Sequence, residues 1–227
     1  MKTSSPKQAQ TRSAVIVEIG SDWLKIAQTE PLKDGLAISR IHLEKFDSLG
    51  SGLSRVIAGA FAEQKFDKMP VIACVPRQMV NIRMMELPST DPDEVVSMAE
   101  IQTAKQTPYS RDEIVCDCRI TKGSRAGYTK VMMAIVQNSV VRERFHVLEE
   151  AGIEVERMSV TTEGILSWHA RSQVPESEGS AVMLLDVDSF YAEFMVIGAG
   201  GLIFTRSILT GSNQLLNGTR DLSLIHI

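Results

Sequence analysis

Two short acidic turns are the parts of this chain whose residue types and spacing could do chemistry. Glu18-Ile19-Gly20-Ser21 closes one apolar run, and Asp186-Val187-Asp188-Ser189 closes another. In each, a strand delivers a carboxylate and the chain then turns tightly. Glycine lets backbone approach a ligand closely, the N–H groups of such a turn can meet phosphate oxygens, and acids can hold Mg²⁺ through water. Taken alone, each turn is also what an ordinary hairpin between buried strands requires. Two such turns facing each other would clamp a nucleotide, with Glu18 and Asp186 toward the metal.

The elements that must position these turns follow from periodicity. Residues 14–19 read as a buried strand, Gly20-Ser21-Asp22 as the turn after it, and 23–28 as a second strand. Residues 36–43 form a third, with Leu36 and Ile38, then Ile41 and Leu43, among polar residues. Leu53, Val56, Ile57, Ala60 and Phe61 make the stripe of an amphipathic helix over 52–66. Residues 70–75 are a short apolar strand. A strand over 80–87 then leads to Asp91-Pro92-Asp93-Glu94, where Asp91 caps a helix, Pro92 takes its first position and Glu94 closes a capping box. Pro108 stops that helix at about residue 106.

Strands over 113–120 and 128–136 flank a Gly123-Ser124-Arg125-Ala126-Gly127 turn, which reads as a hairpin. Asn138 caps a helix whose Val141, Phe145 and Leu148 line one face, and Gly152 ends it. A strand over 154–159 closes a small α+β unit. After a helix over 162–171 and a polar linker over 173–180, strands over 181–186, 190–197 and 202–208 replay the opening theme. Two strand-turn-strand-strand units suggest an internally duplicated architecture.

Composition narrows the function classes. The chain has 227 residues, 44% hydrophobic and 23% charged, with a formal net charge of −4, the mix of a globular protein without the basic stripe that phosphate-backbone binding needs. Nucleic acid is therefore not an expected partner. Lys2, Lys7 and Arg12 resemble a signal-peptide start, but the apolar run at 14–17 ends at Glu18, short of an export signal or a membrane span. Cys74, Cys116 and Cys118 lack metal-type spacing and read as reduced thiols of a cytoplasm. His42, His146, His169 and His226 are scattered, and Met84, Met85, Met132 and Met133 fall in strands as core filler or an adaptable binding surface.

An ordered set of motifs then carries a resemblance. Val17 through Lys25, Pro76, Glu86-Leu87-Pro88, Pro108-Tyr109, Leu148-Glu149-Glu150-Ala151-Gly152-Ile153, and Phe204-Thr205-Arg206-Ser207-Ile208 with Gly211 and Asn213-Gln214 resemble the actin-like type IV pilus assembly family PilM over residues 15–216. The resemblance implies an α/β, actin-like (ribonuclease H-like) fold with an inserted α+β subdomain. It divides the chain into a tail at 1–13, a first subdomain at 14–70, the insert at 71–160, a return helix and linker at 161–178, and the start of a second half at 179–227. It implies ATP and Mg²⁺ as ligands of Gly20, Ser21, Asp22, Trp23 and Lys25 in the first turn and Asp186, Asp188 and Ser189 in the second. The implied partner is the amino-terminal peptide of a PilN-like inner-membrane protein, held between first subdomain and insert, with other platform proteins or motor ATPases beyond it. The implied place is the cytoplasmic face of the inner membrane, reached only through the partner.

The chain departs from that pattern where nucleotide chemistry belongs. The family's first acid is usually Asp and here is Glu18, and its second turn usually reads Asp-x-Gly where this chain has Asp188. Asp22 adds a further charge, against which Lys25 is the implied counter-charge. No well-placed aspartate stands ready to act on a substrate hydroxyl, so a scaffold with at most weak ATPase activity is expected. An FtsA-like filament protein and a sugar-kinase-type phosphotransferase are the alternatives. Because the resemblance stops near Leu216 and Leu222-Ser223-Leu224-Ile225-His226-Ile227 matches no family element, the chain is expected to be an incomplete gene product.

Overall fold

Why the first strands pair as they do is visible in their side chains. In a computed structural model describing residues 12–33, 35–47, 52–122, 125–172 and 180–223, β1 (Ala14–Ile19), β2 (Trp23–Leu32) and β3 (Gly35–Lys45) form an antiparallel meander. Val15, Val17 and Ile19 on β1 face the same side as Leu24 and Ile26 on β2. Helix α1 (Leu53–Gln64) lays Ile57 and Ala60 on that face. It ends at Lys65, whose φ of 51° closes the helix through an N–H bond to the Phe61 carbonyl. A side chain in this left-handed conformation is uncommon and costs more than glycine would.

Strand β4 (Val71–Val75) runs parallel to β1, and β8 (Val155–Val160) lies beyond it, giving the order β3-β2-β1-β4-β8. The parallel β4 follows from the long β3–α1–β4 crossover, which returns the chain alongside β1. The strand read over 70–75 and the one read as closing the α+β unit both belong to the five-stranded sheet, whereas the strand read over 80–87 does not. One expectation, the buried face of the helix after Asn138, is corrected. On α3 (Asn138–Glu150), Leu148 is fully buried in the sheet's core with Val147 and Ala151 packed nearby, whereas Phe145 is exposed.

The edge strand β3 explains the shifted spacing of its apolar residues. Thr29 pairs with Ile38 and Gln28 with Arg40, so Ser39 is the extra residue of a β-bulge. The bulge restores phase: Leu36, Ile38, Ile41 and Leu43 stand opposite Pro31, Thr29, Ala27 and Lys25 and share one exposed face, away from α1.

The chain divides into two units. One holds the chain to Cys74 with Phe145–Ser159, and the other holds Val75–Arg144 with the chain from Val160 onward. The second unit contains two antiparallel sheets. In the first, β7 (Thr129–Gln137) is central between β5 (Asn81–Leu87) and β6 (Ile114–Lys122). Helix α2 (Pro92–Gln106) packs Val95 and Ala99 on Leu87, Val131 and Met133, with Met85, Met98, Cys116 and Cys118 at the margin. Methionine and cysteine therefore fill core here.

Asp91 caps α2, its Oδ1 accepting from the N–H groups of Asp93 and Glu94 at 3.0 Å. The rest of the cap differs from a simple box. Ser89 stands between: its hydroxyl accepts from the Asp91 N–H and donates to Glu94 Oε2 at 2.7 Å. Gly123 and Ser124 of the expected hairpin turn lie outside the described residues, but the β6–β7 pairing on either side is that of a hairpin.

After α4 (Thr161–His169), the strands β9 (Ala181–Val187), β10 (Ala192–Gly198) and β11 (Gly201–Ile208) form the other sheet of the unit, ordered β11-β10-β9, followed by α5 (Ser212–Ser223). Its meander repeats that of β1-β2-β3. Met183, Leu185 and Val187 share a face with Phe194, Phe204 and Ile208, and most of that face is exposed. None of the helices among the described residues is long and apolar enough to cross a membrane.

Candidate functional site

The first acidic turn is a closed hairpin in which one of its two acids is matched by a lysine of the facing strand. The Gly20 N–H donates to the Trp23 carbonyl at 2.8 Å. Glu18 and Lys25 are directly opposite on β1 and β2, and Lys25 Nζ lies 2.8 Å from Glu18 Oε1. Asp22 is buried, its Oδ2 3.5 Å from Lys45 Nζ, while its Oδ1 is buried without a hydrogen-bond partner. Ser21 lies at the tip and Trp23 begins β2, half-buried and opposite Lys45.

The second turn is closed by the same logic and braced from behind. The Asp188 N–H donates to the Tyr191 carbonyl at 2.8 Å, and the Ser212 and Asn213 N–H groups donate to the carbonyls of Asp188 and Ser189 at 2.9 and 3.0 Å. Gly211 makes this approach possible, since a Cβ there would lie 2.4 Å from the backbone of Ser189 and Phe190. Gln214 reaches back to accept from the Gly211 N–H at 3.0 Å, half of a capping box at the start of α5. Ser189 is buried and Asp186 is exposed on β9.

Asp186 pairs across the ladder with Glu193, which the sequence reading passed over. Glu193 is 3% exposed; its Oε1 accepts from the Thr162 and Thr205 hydroxyls at 2.7 Å each and lies 3.4 Å from Arg77 Nε. Burial pushes the Glu193 carboxyl above its ordinary range, with the two hydroxyls and Arg77 pulling it back. Burial likewise holds Arg77 below its ordinary range, against the attraction of Glu193. The available signal was a single acid inside the otherwise apolar run Ala192–Gly198, because a charge in a buried strand demands a partner.

Glu18 and its turn belong to the first unit, Asp186 and its turn to the second. Among the described residues no group of three or more His, Cys, Asp or Glu is gathered to hold a metal ion. Burial pushes the Cys116 and Cys118 thiols above their ordinary range, which suits inert core residues. His42 pairs with Glu44 and His146 with Glu150, His169 is buried, and His226 lies outside the described residues. Within the first unit, Lys25 and Lys45 each face an acid already.

Paired antiparallel meanders, each opening on an acidic turn, define the class. The fold is that of the actin-like proteins. A Bacteroides thetaiotaomicron protein with actin-like ATPase fold aligns at TM-score 0.54 and 13% identity over 97% of this chain and 81% of its own. The cytoplasmic domain of EpsL, an inner-membrane component of the type II secretion system of Vibrio cholerae, aligns at TM-score 0.53 and 10% identity over 86% of this chain and 71% of its own. A chain of a PilM–PilN type IV pilus biogenesis complex aligns at TM-score 0.78 and 16% identity over 94% of this chain, which spans 66% of that one. No curated protein sequence matches. The family described as type IV pilus assembly protein PilM matches residues 13–221, and this chain belongs to it.

Proposed function

We propose that this chain is a scaffold of type IV pilus assembly that holds the extended cytoplasmic peptide of a PilN-like inner-membrane protein and is thereby kept at the inner face of that membrane. The observation that supports it is the family match over residues 13–221 together with a fold shared across 94% of the chain with a PilM–PilN complex. In this reading residues 14–70 form the first subdomain, 71–160 the insert, and 179–227 the start of a second half. The insert's own body is β5, α2, β6 and β7, and its end strands β4 and β8 are shared with the first sheet. The test is binding of synthetic amino-terminal tails from single-span membrane proteins encoded beside this chain's gene. Specific retention over a scrambled peptide is expected; retention no better than scrambled overturns the reading.

In the same reading the scaffold binds Mg-ATP only weakly. Asp188 stands where the family usually has glycine, and a carboxylate about 4 Å from a phosphate costs about 4 kcal/mol at an effective dielectric of 20 unless a metal neutralises it. Mg-ATP is therefore expected to raise the melting temperature only slightly, and Asp188→Gly to increase that shift. Thermal denaturation with and without Mg-ATP reads the sign directly. A large shift in the parent that shrinks in the variant would mean that Asp188 helps, through the metal, and that the repulsion argument fails.

A further inference from the structure

The chain crosses into the second unit at Val75 and again at Val160, and just beyond each crossing it is gripped by one buried carboxylate. Arg77 lies in the short 3-10 turn Arg77–Met79 after β4, and Thr161 and Thr162 open α4 directly after β8. The Arg77 N–H donates to Thr161 Oγ1 at 3.1 Å, which ties the two crossings to each other. Glu193 Oε1 then gathers them onto the β10–β11 hairpin, through Thr162 from α4, Thr205 from β11 and the Arg77 guanidinium. Arg77 Nε is also 3.4 Å from the Thr205 hydroxyl.

All three contacts fall on one oxygen. Glu193 Oε2 is buried without a hydrogen-bond partner. A buried ion pair adds little stability over apolar packing, but it is directional and therefore selects one arrangement of the groups it joins. An anion with one oxygen saturated and the other bare is held less firmly than a fully paired one, because the unpaired oxygen keeps its desolvation cost. Such a grip can be released without unpacking a hydrophobic core.

We propose that Arg77 and Glu193 form a latch that fixes both crossings within the second unit and whose release frees them together. The latch requires neither nucleotide nor partner peptide. It is a conformational device of the chain itself.

Hydrogen exchange read by mass spectrometry on the full chain tests it. Glu193→Gln keeps the acceptor but removes the charge, and is expected to speed exchange about tenfold in segments 75–80 and 160–166 together, with β1 and β2 unchanged. Thr162→Val and Thr205→Val each remove one donor while leaving the ion pair, and are expected to act in the same direction by less. They also decide the matter if Glu193→Gln does not fold. Exchange that stays at the parent rate, that rises in only one of the two segments, or that rises equally throughout the chain overturns the latch.

Discussion

Arg77→Ala is expected to lower the unfolding free energy by about 3–5 kcal/mol, the cost of leaving a buried charge without its partner. The reason lies in what remains. Glu193 stays 3% exposed with two threonine hydroxyls on one oxygen, no donor on the other, and Asp186 opposite it on the ladder. Replacing both members by apolar residues of similar volume, Arg77→Met with Glu193→Leu, removes the stranded charge and is expected to recover most of the loss. Urea unfolding of the two variants against the parent gives both numbers. A single-variant loss below about 1 kcal/mol, within the range of exposed ion pairs, would show that the pair carries no burden in the fold.

Leu148→Ala is expected to cost about 2–5 kcal/mol, the range for truncating a large aliphatic side chain in a packed core. Leu148 is fully buried among Val15, Val17, Leu24 and Ile57, so the lost methyl groups leave a cavity that the sheet and α1 can only partly close. Phe145, on the same helix, is the control. It is exposed, and Phe145→Ala is expected to stay within about 0.5 kcal/mol, as for other surface positions. Equilibrium unfolding of the pair separates them; equal losses would mean that α3 turns a different face to the core.

Local signals made part of this fold legible. Asp91-Pro92 set the start of α2, because a short acid before proline satisfies the first N–H groups while proline needs none. The two meanders and their acidic turns were readable for a similar reason: alternation and turn chemistry act over a few residues. What was not readable depends on partners far apart in sequence. Nothing in the polar-rich strand Val155–Val160 says that it joins the sheet of β1, and nothing near Arg77 announces Glu193. The same holds for the charges around the first turn, where Lys25 is matched to Glu18 across the strands and Lys45 approaches Asp22 from β3.

The bulge at Ser39 has a colloidal consequence. An eleven-residue strand at the rim of a sheet, with Leu36, Ile38, Ile41 and Leu43 along one side, is a template on which identical strands from other molecules can stack. Stacking needs an unbroken run of outward backbone groups at even spacing. The extra residue breaks that run near its middle and increases the local twist. Neither half then offers a flat ribbon long enough to seed a fibril, so the rim keeps its greasy side without becoming a growth front.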